Sequence, residues 1–265
     1  MMQYTRDGIE AWHLRSSQEP GLHVVVSPEK DSCQSIWIYR LNLTAGQEFE
    51  LSSGKLEMNG VITNGKASVS GAGLDGTLDK CGSFYIPGNT QIRIHALEDT
   101  SFYIGAALWE GIGSAFLRNL DLSLPLGDIH QFHGEGVGRR EVFFTLDPKT
   151  PASRLICGLT WGGDGSWTSW PPHQHELDLE EAYCYFDMDA PKFGMHLSYL
   201  TGQHAQDAVV HVVNSGSVVL APAGYHPTVA SPGTRNTYFW VLAALRKESR
   251  SYDLAITDPD FAPKP

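Results

Sequence analysis

Hydrophobic positions along this chain fall into short runs that are separated by turns containing glycine and proline. Many of these runs are rich in Val, Ile, Tyr, Phe and Thr, the residues that favour β-strands. The predicted strands are residues 22–26, 35–43, 82–86, 91–96, 101–108, 141–146, 153–161, 182–186, 194–199, 209–213, 217–220 and 236–245. Short strands with closely spaced turns predict a β-sandwich or β-barrel. Helical periodicity is scarce, and residues 110–120 are the best candidate for a helix, or else for a connector.

A weak internal repeat divides this pattern into two halves. Residues 82–91, GSFYIPGNTQ, are similar to residues 216–226, GSVVLAPAGYH. Aligned on their prolines, the first copy has Gln91 where the second has His226. We therefore expect two similar β-barrels, residues 1–124 and 125–265, with candidate metal ligands only in the second.

The densest group of ligand-type side chains lies in residues 171–183, PPHQHELDLEEAY. Side chains two apart in a strand share a face, so His173 and His175 would point the same way. His226 follows a Pro-Ala-Gly turn, where a β-rich chain could return to the same place. Three imidazoles and one carboxylate would form a plausible site for a divalent transition metal.

The carboxylate in this group could come from Glu180 or Glu181. If Glu181 faces the cavity, Tyr183 and Tyr185 share its face, and the intervening residues pack on the other side. If Glu180 faces it, the two tyrosines must find partners elsewhere. A polar substrate favours Glu181, and we interpret Glu180 as part of a solvated loop together with Glu176 and Asp178.

Other residues of this region are weaker candidates. Arg139 or Arg140 could pair with a substrate carboxylate through two hydrogen bonds, or with a nearby glutamate. Trp161, Trp167 and Trp170 could line a sugar pocket or pack within the barrel. The remaining candidates for contacts around the site are Gln174, Tyr183, Tyr185, His196, His204 and His211.

The composition of the chain argues against some classes of partner and of cellular location. The formal net charge of −11 and the pI near 5.4 argue against a nucleic-acid partner, because no basic patch offsets the acidic balance. The four cysteines form no C-x-x-C pair, which is typical of reduced, buried thiols. No apolar run approaches the length of a membrane span. The sequence therefore predicts a soluble, cytoplasmic protein.

Taken together, the histidines, the glutamate and the later Gly-strand-Pro turn resemble the two-part cupin motif. More specifically, the chain resembles the bicupin family of 5-deoxy-glucuronate isomerase, an enzyme of myo-inositol catabolism. The 5-keto-4-deoxyuronate isomerase of pectin breakdown is a more distant match. The segments that carry the resemblance are residues 134–142, 165–175, 224–227, 231–233 and 257–259.

The resemblance implies an all-β chain with two cupin barrels, each a double-stranded β-helix or jelly roll. It implies a metal-dependent aldose–ketose isomerase that converts a deoxy uronic acid, 5-deoxy-glucuronate, to 2-deoxy-5-keto-gluconate through a metal-stabilised enediolate. The implied metal ligands are His173, His175, Glu181 and His226. The run EAYCYF at residues 181–186 is similar to the Glu-x-Tyr-x-Tyr run of these isomerases, which independently favours Glu181.

Several points stay open in this interpretation. The metal could be Zn, Mn, Fe, Ni or Co. The proton-shuttling group could be Tyr183, Tyr185, His196 or a metal-bound hydroxide, while Arg140 would hold the uronate carboxylate. The alternatives in function are 5-keto-4-deoxyuronate isomerase, a metal-dependent cupin dioxygenase and a non-catalytic sugar-binding cupin. A small sugar acid is the expected partner. Homo-oligomerisation is left open, since cupins often pair through barrel edges.

Overall fold

The computed structural model describes residues 4–262, and nearly all of its regular structure is β-strand. The strands are β1 His13–Arg15, β2 Gly21–Val26, β3 Trp37–Leu43, β4 Glu48–Ser52, β5 Leu56–Asn64, β6 Ala67–Gly71, β7 Leu74–Leu78, β8 Ser83–Ile86, β9 Gln91–Ala96, β10 Thr100–Leu108, β11 Phe116–Arg118, β12 His130–His133, β13 Arg140–Leu146, β14 Leu155–Asp164, β15 Trp167–Thr168, β16 His173–Gln174, β17 Leu179–Tyr185, β18 Gly194–Ser198, β19 Val209–Val213, β20 Ser217–Ala221, β21 Thr228–Ala230, β22 Arg235–Ala244 and β23 Ile256–Thr257. One short helix, α1 Arg6–Glu10, begins after Thr5, whose hydroxyl accepts a hydrogen bond from the Gly8 N–H.

Short 3₁₀ turns complete the regular structure of the described chain. They span Gly136–Gly138, Ala205–Asp207, Lys247–Ser249 and Tyr252–Leu254. No helix within residues 4–262 is long and apolar enough to cross a membrane.

The all-β prediction is confirmed, and each predicted strand overlaps an observed one. Of the two alternatives for residues 110–120, the helix is wrong, and the segment is a connector that contains the edge strand β11. Gly111 and Gly113 have φ angles of 85° and 109°, outside the helical region, and β11 pairs with β8 as an edge strand. The sequence pattern also missed β4 to β7, because these strands carry polar residues and glycines.

In the N-terminal half, two antiparallel sheets face each other. A six-stranded sheet has the order β11-β8-β5-β10-β3-β2, and a four-stranded sheet has the order β4-β9-β6-β7. The side chains between them form an apolar cluster that includes Leu41, Met58, Phe84, Ile92 and Phe102. The hydrophobic effect of this interior fixes which face of each strand points inward.

The C-terminal half repeats this arrangement. A seven-stranded sheet has the order β1-β20-β17-β22-β14-β13-β12, and it faces a four-stranded sheet with the order β15-β21-β18-β19. Strands β16 and β23 pair with each other beside them. Strand β1 comes from the N-terminal end of the chain and pairs with β20, so the start of the chain belongs to this second pair of sheets.

The strand registers define equivalent positions in the two halves. Met58 on β5 pairs with Ile86, which directly precedes Pro87. Glu181 on β17 pairs with Ala221, which directly precedes Pro222. The alignment on the two prolines thus places Met58 where the C-terminal half has Glu181. It also places Glu57 where the C-terminal half has Glu180.

Two buried carboxylates join the halves reciprocally. Glu180 reaches from β17 to the N-terminal half, where it accepts hydrogen bonds from the Gln34 and Ser35 N–H groups, each at 2.8 Å, and from the Ser35 hydroxyl at 3.0 Å. The solvated-loop interpretation of Glu180 is therefore wrong, since this residue is only 2% exposed. Burial raises the pKa of Glu180, although its N–H and hydroxyl donors oppose the rise.

Glu57 makes the matching contact in the other direction. Its carboxylate accepts hydrogen bonds from three consecutive backbone N–H groups of residues 153–155, at 2.6 to 2.8 Å, and from the Tyr85 hydroxyl at 2.7 Å. Burial raises the pKa of this carboxyl as well. Around both carboxylates a shared apolar core, including Trp12, Ile36 and Phe239, packs between the halves. All four cysteines are buried and free, as predicted.

Candidate metal centre

Four side chains converge between the sheets of the C-terminal half. His173 lies on β16, His175 directly follows it, Glu181 lies on β17, and His226 precedes β21. One ligand atom from each residue lies within 4.8 Å of the others. Because the short β16 is followed by a tight connection into β17, the two histidines and the glutamate meet locally, and only His226 arrives from a distant segment.

Backbone carbonyl groups hold each imidazole ring in place. His173 Nδ1 lies 2.9 Å from Pro171 O, His226 Nδ1 lies 3.0 Å from Gly224 O, and His175 Nδ1 lies 3.4 Å from Leu179 O. A carbonyl can only accept, so each Nδ1 carries the proton and each Nε2 is left with a lone pair. Metal-binding histidines in proteins are commonly oriented by this kind of contact.

The carboxylate of Glu181 lies between two of these imidazoles. Its Oε2 atom is 3.1 Å from His175 Nε2 and 3.1 Å from His226 Nε2. Neighbouring ligands that each lie about 2 Å from one ion are separated by about 3 Å. The buried His226 Nε2 atom makes no hydrogen bond of its own. The donor set and its spacing therefore fit a divalent cation.

The protonation states of the site residues also fit a divalent cation. Burial, together with the neighbouring imidazoles of His226 and His175, lowers the pKa of His173 to about 3, so this ring is neutral near neutral pH. Burial alone would raise the pKa of Glu181, but the adjacent imidazoles of His175 and His226 hold this pKa far below its usual range. A neutral imidazole and an ionised carboxylate are the forms that bind metals.

Strand parity separates Glu181 from Glu180. Glu181 points between the sheets of the C-terminal half, whereas Glu180 points out of that space to Gln34 and Ser35. Tyr183 shares the face of Glu181, as the alternation of side chains in a strand requires. The structure thus places Glu181, the glutamate that the alternation of side chains favoured, beside the three histidines.

A cavity of about 220 Å³ opens beside this cluster, and His173, His175 and Glu181 line it. Its walls combine aromatic rings with hydroxyl, imidazole and guanidinium groups. Beside the candidate ligands, the lining residues include His133, Arg140, Thr160, Ser169, Trp170, Tyr183, Tyr238, Trp240, Tyr252 and Thr257. A mostly aromatic enclosure with a few polar groups is typical of a small-molecule site.

The two predicted tyrosines occupy different positions. Tyr183 lines the cavity, and its hydroxyl donates to Ser169 Oγ at 3.1 Å. Tyr185 lies deeper and does not line it. The Tyr185 hydroxyl is 2.9 Å from His196 Nδ1 and 3.0 Å from Thr228 Oγ1. Burial raises the pKa of both tyrosines.

The structure also separates the two predicted arginines. Arg140 lines the cavity, and its Nη1 atom donates to Trp170 O at 2.8 Å. Arg139 lies on the opposite face of the sheet, with its guanidinium 4.3 Å above the centre of the Phe132 ring. Of the pair, only Arg140 brings a positive charge to the cavity wall.

Most of the weaker candidates lie outside the cavity. Gln174 is buried and accepts from the Glu176 N–H, while His204 is exposed beside Asp260. His196 and His211 are buried behind the site, with ring centres 6.1 Å apart. Among the three candidate tryptophans, only Trp170 lines the cavity. The ring of Trp167 packs against the ring of Trp170.

Sequence reasoning missed the contribution of the C-terminal segment. Tyr252 and Thr257 line the cavity, although they lie about 26 and 31 residues after His226 in the chain. His133, which precedes the sheet's central strands, was missed too. No local pattern marks Tyr252 and Thr257, because they reach the cavity only through the return of the chain, whereas His133 lies on β12 directly opposite Arg140.

Comparisons with known proteins agree with this architecture. A model of the KduI/IolB family matches residues 12–262. The 5-deoxy-glucuronate isomerase of Geobacillus kaustophilus is 28% identical over 247 residues, which cover 86% of this chain and 86% of the relative. That of Geobacillus thermodenitrificans is 29% identical over 247 residues, with coverage of 86% and 87%.

Two solved structures share the fold. An IolB-like protein from Salmonella typhimurium superposes with a TM-score of 0.79 at 22% identity, covering 94% of this chain and 97% of the other. An oxalate decarboxylase from Bacillus subtilis superposes with a TM-score of 0.58 at 14% identity, covering 87% and 74%. At these identities the likeness shows the fold alone.

Proposed function

Because this chain belongs to the KduI/IolB family, we propose that it is a metal-dependent aldose–ketose isomerase that converts 5-deoxy-glucuronate to 2-deoxy-5-keto-gluconate. The observation that carries the proposal is the convergence of His173, His175, Glu181 and His226 beside a cavity that Arg140 lines. Curated relatives that span most of the chain are isomerases of this sugar acid.

Each pair of sheets, in this proposal, is one cupin barrel, and the boundary lies near residue 125. The similarity in fold to an oxalate decarboxylase and the equivalent registers around Pro87 and Pro222 support this assignment. The N-terminal barrel has an apolar interior, so the C-terminal barrel carries the chemistry.

His173, His175, Glu181 and His226 would hold one divalent ion. Such an ion, when bound, polarises the carbonyl and hydroxyl oxygens of a sugar and stabilises negative charge that develops on them during isomerisation. The carbonyl groups that orient the imidazoles keep the ligand atoms preorganised for it.

The chain's own residues would bind and orient the sugar acid. Arg140 would pair with the uronate carboxylate, because a guanidinium matches a carboxylate with two hydrogen bonds. The aromatic walls formed by Trp170, Tyr238 and Trp240 would exclude water from the reacting carbons. Tyr183 would contact the sugar rather than Tyr185, since only Tyr183 lines the cavity.

A metal analysis of the purified protein, coupled to an isomerase assay, tests this function. The assay offers 5-deoxy-glucuronate and 5-keto-4-deoxyuronate, each with and without a chelator. Chelator-sensitive turnover of the first sugar supports the proposal, and turnover of the second alone would move the enzyme to the other branch. Oxygen consumption without isomerisation would instead favour a cupin dioxygenase, and absence of metal after reconstitution would contradict the ligand assignment.

The role of Arg140 has its own test, with Arg139 as the matched control. Arg140→Gln should raise the KM for the uronate by about 10-fold to 100-fold, as expected for losing hydrogen bonds to a charged group. Arg139→Gln should leave KM unchanged, because its guanidinium lies over Phe132 outside the cavity. Steady-state kinetics give both values, and equal KM values for the two variants would contradict the assignment.

A further inference from the structure

A C-terminal strap, defined here as residues 250–258, closes one side of the cavity. At its start the Arg250 guanidinium donates to Leu155 O at 2.7 Å, to Pro148 O at 2.9 Å and to Asp147 O at 3.0 Å. At its end the buried Asp258 accepts a hydrogen bond from the Tyr199 hydroxyl at 2.6 Å. Both ends of the strap are thus fixed to the C-terminal half.

The strap is also tied to the strand that carries His173. Thr257 pairs with His173, and Ile256 pairs with Gln174, as β23 and β16 form a two-stranded sheet. The Asp258 N–H donates to Pro172 O at 2.9 Å. The side chains of the strap therefore keep a defined position relative to the candidate metal ligands.

Tyr252 is the largest side chain that the strap brings to the cavity wall, which Ala255 and Thr257 also line. Its ring packs edge-on against Phe144, with centres 5.1 Å apart, and lies tilted against Trp240, with centres 5.7 Å apart. Its hydroxyl has no hydrogen-bond partner within residues 4–262, whereas the Tyr183 hydroxyl donates to Ser169. Thr160, another hydroxyl on the wall, accepts from Trp240 Nε1 at 3.1 Å.

We propose that the Tyr252 hydroxyl donates a hydrogen bond to the bound sugar acid and so takes part in its selection; this inference rests on the proposed function. When a sugar fills the cavity, this hydroxyl is separated from solvent and depends on the sugar for a hydrogen-bond partner. A ligand without an oxygen at that place would leave the donor unpaired, which is costly in an enclosed site. A substrate that supplies an acceptor oxygen is selected over one that does not.

The phenol is suited to this role because it stays neutral. Burial, with Glu181 nearby, raises the pKa of Tyr252 to about 12. The hydroxyl therefore remains a hydrogen-bond donor at neutral pH, and its contribution should not change with pH there. Arg140, on the same cavity wall, would supply the charge that the carboxylate needs.

Tyr252→Phe tests the inference, because phenylalanine keeps the ring packing on Phe144 and Trp240. The variant should lose about 10-fold to 100-fold in kcat/KM for 5-deoxy-glucuronate, as expected for one hydrogen bond to a substrate. The loss should be constant across neutral pH. Tyr39→Phe is the matched control: it removes the hydroxyl of a half-buried tyrosine in the N-terminal half, and its kcat/KM should equal that of the wild type.

A binding measurement separates this inference from the proposed function. The melting temperature of the metal-loaded protein is followed with 5-deoxy-glucuronate, 5-keto-4-deoxyuronate or glucuronate added, since a ligand of the folded state raises it. Without sugar, Tyr252→Phe and the wild type should melt alike. With the sugar that stabilises the wild type most, the variant should show a smaller rise.

The outcomes are distinct. Wild-type turnover of 5-deoxy-glucuronate with Tyr252→Phe within twofold of it would overturn the inference and leave the proposed function standing. No turnover, with a stabilising sugar acid whose effect Tyr252→Phe diminishes, would overturn the proposed substrate and support the role of Tyr252. No stabilisation of the wild type by any of the three sugar acids would overturn both.

Discussion

The two halves of this molecule use equivalent strands to enclose very different interiors. In the N-terminal half the position of Met58 faces a closed apolar interior, and a Cβ added to Gly60 would lie 2.3 Å from the Phe84 ring. In the C-terminal half the equivalent position is Glu181, beside three imidazoles and a cavity. Gln91, at the place of His226, lies at the surface and donates to Glu50 at 3.0 Å.

This difference shows how one strand arrangement can serve two purposes. The N-terminal half is filled with side chains, so it contributes burial of apolar surface and close packing. The C-terminal half leaves space and places polar groups there, and the carbonyl groups of Pro171 and Gly224 hold two of the buried imidazoles in place. Glu57 and Glu180 then join the two halves, so the packed half supports the half with the cavity.

The largest expected effect comes from removing a ligand in the C-terminal half. His175→Ala should lower metal affinity by more than about 100-fold and abolish isomerase activity, because the site loses one of its four donors. The fold should persist, since the residue lies at the cavity. Metal content after dialysis, the activity and the far-UV circular dichroism spectrum check this expectation.

His23→Ala is the control for this prediction, since His23 lies on β2 in the N-terminal half and contacts Glu19 O. The control should keep both metal and activity. If His175→Ala also kept full activity without bound metal, the assignment of the metal centre would be contradicted.

The difference between the two interiors can be tested by exchanging the residues at the equivalent positions 58 and 181. Met58→Glu buries a carboxylate where no imidazole lies beside it, so we expect a loss of about 3–5 kcal/mol in the free energy of unfolding. It should gain no metal. Urea denaturation and metal analysis measure the two effects.

Glu181→Met is the reciprocal variant. It should fold with little change in the free energy of unfolding of the metal-free protein, because a methionine of similar size replaces a buried charge. Metal binding should be lost. A stable Met58→Glu variant together with an unfolded Glu181→Met variant would reverse the roles assigned to the two interiors.

A smaller effect on stability is expected at Glu57 and Glu180, the equivalent glutamates that join the two halves. Glu57→Ala leaves three buried backbone N–H groups without an acceptor, and Glu180→Ala leaves two N–H groups and a hydroxyl. Each variant should lose about 3 kcal/mol in the free energy of unfolding. Because both contacts join the halves, the two losses should be similar.

Urea denaturation of the two variants checks this prediction, with Glu48→Ala on the exposed strand β4 as the control. The control should change the free energy of unfolding by less than about 0.5 kcal/mol. If only one of Glu57→Ala and Glu180→Ala lowered the free energy of unfolding, the two contacts between the halves would not be equivalent.

Much of this protein could be predicted from the sequence. The turn spacing and β-branched runs predicted an all-β chain, and the family resemblance is confirmed. The alternation of side chains along β17 selected Glu181 over Glu180 for the cavity face, and the structure places it there. These inferences succeed because a strand repeats every two residues, so sequence spacing alone decides which neighbours share a face.

What only the tertiary structure decided depends on contacts between distant parts of the chain. Glu180 was interpreted as a loop residue, yet it binds backbone N–H groups about 145 residues away. Strand β1 joins β20 of the C-terminal half, and the strap places Tyr252 at the cavity. No local spacing encodes such meetings, because they follow from how whole sheets pack and where the chain returns.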